Sequence, residues 1–403
     1  MSGVRVLEVA EHTFVPAAAG VLADWGAEVI KVEHAERGDA MRGIRSTGIM
    51  DLGQGAHVLF EHSNRGKRSI GLDLSHPDGI DILYRLAATC DVFVTNKLAA
   101  VRAKLGIDVD DIRRHQPSII YARGSAYGAH GPDAGQGGYD VSGFWYRGGS
   151  AIGARQAGAG RPPGQPGPAY GDTLGAAILA GGIAAALFQR ERTGEAAVVD
   201  ASLLGLGTWA MGTAIGLSAQ SGGAWLQPSD DRSGPRNPLV GNYQTADGKW
   251  LHLSVLQAFR YWPELCGLLE LGGLASDERF GTAAKLTENG AAAAALLAQH
   301  IGSQPMRHWT ARLAAFTGQW AVVQSSHDVL ADEQVRANNF LVDSQTVEGD
   351  PIVLASVPVQ FDGRHSPPRP APTFNADGDD ILQSDLGMDY DSILELKVKG
   401  VLA

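Results

Sequence analysis

Apolar and polar positions along this chain change period several times, and those changes define its elements. VRVLEV (4–9) is a short β-branched run, as expected of a strand. PAAAGVLADWG (16–26) follows with Pro16 at a first helical position and Gly26 at a stop. AEVIKVE (27–33) predicts a second strand, and strand, helix and strand in this spacing make a βαβ unit with parallel strands. The theme continues: HPDGIDILYRLAATC (76–90) predicts a helix, DVFVTN (91–96) a strand, VDDIRRHQ (109–116) a helix and SIIYARG (118–124) a strand. The fold class is doubly wound α/β.

From Ser125 to Tyr170 the periodicity disappears. Glycine and proline are interleaved with aromatics in GYDVSGFWYRGG and RPPGQPGPAYGD. A long stretch of this kind inside a folded domain is often functional. A helix follows from about Thr173 to Arg192, closed by Gly194. AAVVDASLLGLGTWAMGTAIGL (196–217) predicts a strand passing into a second apolar helix, and residues 219–240 an irregular linker. GNYQTADGKWLHLSVL (241–256) reads as a hairpin turning at Asp247-Gly248. AAAAALLAQHI and MRHWTARLAAF are helical, which makes a smaller α+β domain of roughly 225–325. Residues 325–343 lead out of it, 357–374 are proline-rich extended chain, and DYDSILELKVKGVL is a last short helix.

Length and composition narrow the class. A chain of 403 residues exceeds one ordinary core, so two domains are expected. Net charge is −11, which disfavours a nucleic-acid coat but leaves room for an anionic small ligand on a local basic patch. Cys90 and Cys266 are far apart and imply neither a disulfide framework nor a zinc site. The start lacks the pattern of a signal peptide, and the apolar run near 174–188 reads as too short and too interrupted by glycine for a membrane span. The expectation is a soluble, cytoplasmic protein without a metal, a nucleic-acid partner or a membrane anchor.

The first strand-to-helix junction, VLEVAEHTFVPAAAG, lacks the G-x-G-x-x-G of a dinucleotide fold. Cations gather after strands instead. Lys31, His34, Arg37, Arg42 and Arg45 lie in KVEHAERGDAMRGIR, NRGKRS (64–69) adds three, and Lys97, Arg102 and Lys104 follow another strand. Ligands of open α/β sheets bind at the carboxyl ends of strands, so this grouping points to a phosphorylated ligand. Asp172, in PAYGDTLGAAILAGG, has two readings. It is a helix N-cap, or it is a nucleophile where glycines allow close approach and a helix end stabilises an oxyanion. An aspartyl nucleophile makes a mixed anhydride with an acyl group, which suits acyl exchange.

Several of these stretches occur together in a known pattern. LADWGAEVIKVEHAERGDAMRG, NRGKRSIGLDLSHPDG, GYDVSG, GDTLGAAILAGGIAAALFQRERTGE, YQTADGKWLHLS, DVLADEQVRANNFLV and RPAP run in order over nearly the whole chain. With them the chain resembles the family III CoA-transferases, the formyl-CoA and carnitine CoA-transferase type (CaiB/BaiF family).

The resemblance implies transfer of CoA from an acyl-CoA to a free carboxylate, with coenzyme A thioesters as substrates. It implies Asp172 as the catalytic residue, passing through aspartyl-acyl anhydride and aspartyl-CoA thioester. Tyr139, with His12, Thr13 and Gly171, would line the acyl pocket. His34, Arg42, Leu72, Asn96, Lys97, Val101, Lys104 and Arg123 would bind CoA, His34 at the adenine-stacking place and Leu72 and Val101 as apolar contacts. It implies a Rossmann-like large domain from residues 1–200 and 326–403, a linker at 201–224 and the small domain at 225–325, in an interlocked homodimer. A 2-methylacyl-CoA racemase of the same fold is the alternative. Racemases place a histidine where Tyr139 stands, and His130 and His12 keep that reading open. The chain departs from the family's pattern at GQWAVVQSS (318–326), a pocket wall, and at NADGDD (375–380) near the tail. It also lacks the glycine-rich lid before the hairpin.

Overall fold

The strand text forms one parallel sheet in the computed structural model, which describes residues 1–46, 51, 55–155, 159–226, 237–363 and 367–403. Among them, residues up to 226 and from 333 onward belong to one compact unit, and 237–332 to a second.

The larger unit holds strands β1 (Arg5–Val9), β2 (Glu28–His34), β3 (Arg68–Leu72), β4 (Val92–Thr95), β5 (Ile120–Ser125) and β6 (Val198–Ser202). All five pairings are parallel and the order is β3-β2-β1-β4-β5-β6. The inner strands are buried almost continuously because both faces are covered. Val6, Val29, Val94 and Ala122 face one core with α1 (Phe14–Asp24); Leu7, Ile30, Phe93 and Tyr121 face the other, with the helix Pro77–Ala87. Alternate residues of each strand therefore feed opposite cores. The strand order reverses between β1 and β4, and the carboxyl ends of these strands are the ligand position of this topology.

Glycine-rich text makes the longest helix. Tyr170–Thr193 runs for 24 residues, ending at Gly194 in the left-handed region. It starts three residues before the sequence suggested. Gly175, Ala176, Leu179, Ala180, Ile183, Ala186 and Leu187 form a buried stripe at helical spacing. A Cβ on Gly175 would stand 2.6 Å from Leu206 and 2.7 Å from Phe14, so close helix packing requires this glycine. One sequence expectation needs correcting here. The helix is long and apolar enough to cross a membrane by length and composition, with a mean hydropathy of 1.6 over its best window. Its stripe packs instead into the core that holds Phe14 and Leu206.

The strand-plus-helix expected at 196–217 is β6 followed by two helices, Leu203–Ala210 and Gly212–Ser221, parted at Met211. β3 and the helix Val58–Asn64 were not foreseen. β3 is an edge strand, and residues 375–403 cover it. Asn375 Oδ1 accepts the Gly71 N–H at 2.9 Å, Asp377 Oδ2 accepts that of Ser69 at 2.8 Å, and the Ala403 N–H donates to Gly71 O at 3.1 Å. The NADGDD departure thus closes a sheet edge.

The smaller unit is an antiparallel sheet of β7 (Val240–Gln244), β8 (Trp250–Ser254) and β9 (Trp320–Val323), in that order, under helices. Its core is built on Trp262, Trp309, Phe280 and Leu251. The hairpin turns at Asp247-Gly248 as expected, with Gly248 at φ 77°. WAVV, read from sequence as an altered pocket wall, is strand β9.

Candidate active site

Two groups of residues gather in the larger unit. One surrounds the start of the helix Tyr170–Thr193. The other lies at the carboxyl ends of β1, β2 and β4.

Ala169 is the helix N-cap, in the left-handed region at φ 54°, and offers no side-chain cap. Asp172 is the third helical residue. The cap reading is therefore wrong, and Asp172 sits inside the first turn, where the helix dipole favours negative charge. Burial nevertheless pushes its carboxyl up to about 8, and the neighbouring carboxylate of Asp140 adds to the rise. Gly171 is buried beside Phe144, and a Cβ there would stand 2.6 Å from Phe144 Cγ. The Gly171 N–H donates to Asp140 Oδ2 at 3.1 Å.

Asp140 is the site residue that sequence reasoning missed. It is 5% exposed, and its Oδ1 accepts the Val141 N–H at 2.7 Å. That bond opens the helix Val141–Tyr146, a wide turn in which the Arg147 N–H reaches back five residues to Ser142 O at 3.0 Å. Such wide turns recur at functional sites. The signal of Asp140 in the sequence is the acid of GYD, directly after Tyr139.

Tyr139 is 64% exposed, and its ring meets that of His12 edge to face, centroids 5.7 Å apart. His12 has φ 68°, a strained backbone for a residue with a side chain. Its N–H donates to Asp39 Oδ1 at 3.1 Å. Thus His12, Tyr139, Asp140, Gly171 and Asp172 form one chain of contacts. Thr13, expected in the acyl pocket, is 2% exposed and opens α1, its carbonyl accepting the Ala17 N–H at 2.7 Å.

At the strand reversal, Thr95 Oγ1 donates to Val9 O at 2.8 Å, Asn96 Nδ2 to Glu11 O at 2.6 Å, and Lys97 pairs with Glu11 at 2.8 Å. His34 ends β2 half-buried, its Nδ1 accepting the Glu36 N–H at 3.2 Å. Val101 is 38% exposed, and Lys104 and Arg37 point to solvent.

Other expected contacts are engaged elsewhere. Leu72 is 1% exposed in the core with Ile70 and Ile82, so its side chain is a packing residue and not a surface contact. Arg42 grips Glu33 through two 2.7 Å bonds, donates to Pro372 O at 3.1 Å and lies over the Phe60 ring at 4.1 Å. Arg123 pairs with Asp200 on the adjacent strand. The cations of NRGKRS are not a phosphate patch. Arg65 pairs with Asp24 and Arg68 with Glu28, Asp380 and Asp385.

Lys67 is buried. Its Nζ donates to Glu8 at 2.6 Å, Pro16 O at 2.8 Å and Asn64 at 2.8 Å. Lys31 Nζ shares the same Glu8 at 2.7 Å and pairs with Asp39 at 2.7 Å. Burial opposes both charges. It lowers the Lys67 ammonium to about 8, while the Glu8 and Asp39 carboxylates overcome it at Lys31 and hold that proton well above the usual lysine range. The two lysines are therefore the foundation of the site and not its ligands.

Comparison with known proteins places the chain in a family. The sequence model of CoA-transferase family III matches residues 1–378. An (R)-2-hydroxy-4-methylpentanoate CoA-transferase of Clostridioides difficile is 29% identical over 398 residues, 98% of this chain and 98% of its own. An alpha-methylacyl-CoA racemase of Mus musculus is 31% identical over 281 residues, 69% of this chain and 66% of its own. The crystal structure of a CaiB/BaiF family protein from Brucella suis shares the fold with a TM-score of 0.77 at 27% identity, over 95% of this chain and 98% of that one. The chain belongs to CoA-transferase family III, enzymes of class EC 2.8.3 that use CoA thioesters as substrates.

Proposed function

We propose that this enzyme moves CoA from an acyl-CoA donor to a free carboxylic acid through covalent intermediates on Asp172. The observation that carries the reading is Asp172 itself, a carboxyl pushed up to about 8 by burial, beside a second acid, Asp140, which directly follows the Tyr139 that meets His12. A carboxylate that is costly as a free anion gains by becoming an acyl derivative.

The steps balance without water. Asp172 attacks the donor thioester carbonyl, the C–S bond breaks, and CoA thiolate leaves an aspartyl-acyl anhydride. The thiolate attacks the aspartyl carbonyl and expels the donor acid, which leaves an aspartyl-CoA thioester. The acceptor carboxylate attacks that carbonyl and again displaces thiolate. A last attack by the thiolate on the acceptor acyl carbon gives the new acyl-CoA and frees Asp172.

CoA is assigned to the crevice between β1 and β4, with His34 against the adenine, Lys97 and Lys104 toward phosphates and Val101 as an apolar contact. Two adjacent acids disfavour an acyl group that carries a carboxylate of its own, and Tyr170 stands edge to face with Phe144 and Trp145 at 6.2 and 6.3 Å, so a neutral, bulky acyl group suits the site. A homodimer is also proposed. Trp209 is 82% exposed and Phe188 68%; Leu174 and Ile178 are exposed on the helix of Phe188, and Ile215 and Leu217 on the helix Gly212–Ser221, an apolar extent that an isolated subunit rarely shows. The free thiols of Cys90 and Cys266 suit the reducing cytoplasm.

The test is exchange. The enzyme is mixed with acyl-CoAs and a panel of carboxylic acids, and new acyl-CoAs are read by mass spectrometry. Hydroxylamine should trap an adduct on Asp172. Loss of an α-deuteron from a 2-methylacyl-CoA without exchange identifies the racemase reaction instead.

A further inference from the structure

We propose that Asp140 is a positioning residue that sets both the place and the reactivity of Asp172. It does so by tying the first turn of the long helix to the Tyr139 loop, and by holding a negative charge whose repulsion acylation relieves. The proposal rests on the reading of Asp172 as nucleophile.

The geometry is specific. One carboxylate oxygen of Asp140 accepts the Val141 N–H at 2.7 Å and the other the Gly171 N–H at 3.1 Å. Asp140 therefore spans the N-termini of two helices, Val141–Tyr146 and Tyr170–Thr193. The donor on the second helix belongs to the residue directly before Asp172. That helix has no side-chain cap of its own, since Ala169 stands at the N-cap. Asp140 supplies from across the loop what a local serine or aspartate commonly supplies. Packing fixes the same turn, because Gly171 lies flat against Phe144 of the first helix.

The charge has a second effect. Before reaction the site holds two carboxylates. When Asp172 attacks the thioester, its anion becomes a neutral anhydride, and the negative charge leaves on the CoA thiolate. The repulsion from Asp140 is present only before that step, so it favours the acylated state over the free one. The charged groups on elements packed against the long helix are paired, Arg123 with Asp200 and Asp24 with Arg65; at the helix's far end Arg190 pairs with Asp91, and Glu191 and Arg192 are exposed there, about five turns from Asp172. The remaining titratable side chains there include His12, Tyr139, Tyr146, Tyr170 and Tyr121 of β5, whose hydroxyl donates to Ile107 O on the opposite face of the sheet.

The experiment uses the full chain and follows acyl-CoA exchange from pH 6 to 10 in the wild type, Asp140→Asn, Asp140→Ser and Asp140→Glu. Asparagine and serine keep an acceptor for a helix N–H without the charge. Both should show the acid limb of kcat/KM moved to lower pH by about one unit and a plateau about ten-fold lower, with less hydroxylamine-trapped adduct. Asp140→Glu should return the limb toward its wild-type place. Neutral variants that fold, lose rate and keep the wild-type limb overturn the charge role and leave a purely structural one. Neutral variants with wild-type rate and limb overturn the proposal entirely. If instead the wild type yields no adduct and Asp172→Asn exchanges CoA normally, the reading of Asp172 has failed, and this outcome is distinct from both.

Discussion

The carboxylate of Asp39 joins the buried lysine pair to His12: one oxygen lies 2.7 Å from Lys31 Nζ, and the other accepts the His12 N–H at 3.1 Å. The strained φ of His12, which brings its ring to Tyr139, is thus held from below by an ion network with no solvent access. Asp39→Ala leaves Lys31 with an uncompensated share of charge and should cost about 3–5 kcal/mol in urea unfolding. Asp39→Asn should cost less stability and still lower kcat, because the neutral amide holds His12 less firmly. Full activity in a folded Asp39→Asn enzyme would count against the tether.

The raised carboxyl of Asp172 fixes a pH dependence. The nucleophile must be ionised, and its carboxyl is pushed up to about 8, so exchange in the free enzyme should rise with pH through that value and level above it. A profile of kcat/KM from pH 6 to 10 checks this. A rate already flat from pH 6 would show that the carboxyl ionises in the ordinary range.

The same group has a stability signature of defined sign. Its folded pKa exceeds its unfolded value, so the folded state binds the extra proton between about pH 4 and 8. Stability therefore falls as pH rises through that window and is constant above it. Asp172→Asn, neutral at every pH, should lose exchange activity and be more stable than the wild type at pH 8 to 9, by on the order of 5 kcal/mol, with the difference vanishing toward pH 4. Thermal scans of both proteins across this range measure it.

Gly171→Ala should damage activity through packing. Its Cβ would meet Phe144 at 2.6 Å, which costs about 1–3 kcal/mol and pushes the first helical turn away from Asp140. We expect a larger fall in kcat than in acyl-CoA affinity, read from steady-state kinetics beside a melting curve.

Lys104 and Leu72 should separate cleanly. Lys104→Ala, at an exposed position, should raise KM for acyl-CoA several-fold at low salt and leave kcat and melting temperature unchanged. Leu72→Ala empties a core position and should cost about 2–5 kcal/mol of stability. A KM effect at Leu72 without loss of stability would restore it to the ligand site.

What the sequence disclosed follows from range. Strands and helices with short-range periodicity were legible from RVLEV to VFVT, and the fold class with them. Asp172 was legible as a residue of interest because glycine, acid and a long apolar run are adjacent. Its true place in the first turn was not, because the chain reverses at Ala169 in a left-handed conformation that alanine rarely adopts. The cations were misread for a different reason. Lys67 meets Glu8 across 59 residues and Arg65 meets Asp24 across 41, and no local pattern reveals such partners. Asp140 was hidden likewise, since its importance lies in a bond to Gly171, 31 residues on. β3 escaped notice because RSIGL is short and begins with a cation.

The cover over β3 has a consequence for biosynthesis. All six strands of the parallel sheet lie before residue 203, yet the β3 edge is sealed by residues 375–403. A nascent chain that has emerged through β6 therefore carries all six strands with the β3 margin bare, and keeps it so while the whole smaller unit is translated. During that interval the margin is a site for chaperone capture or for pairing with a neighbouring polysome product.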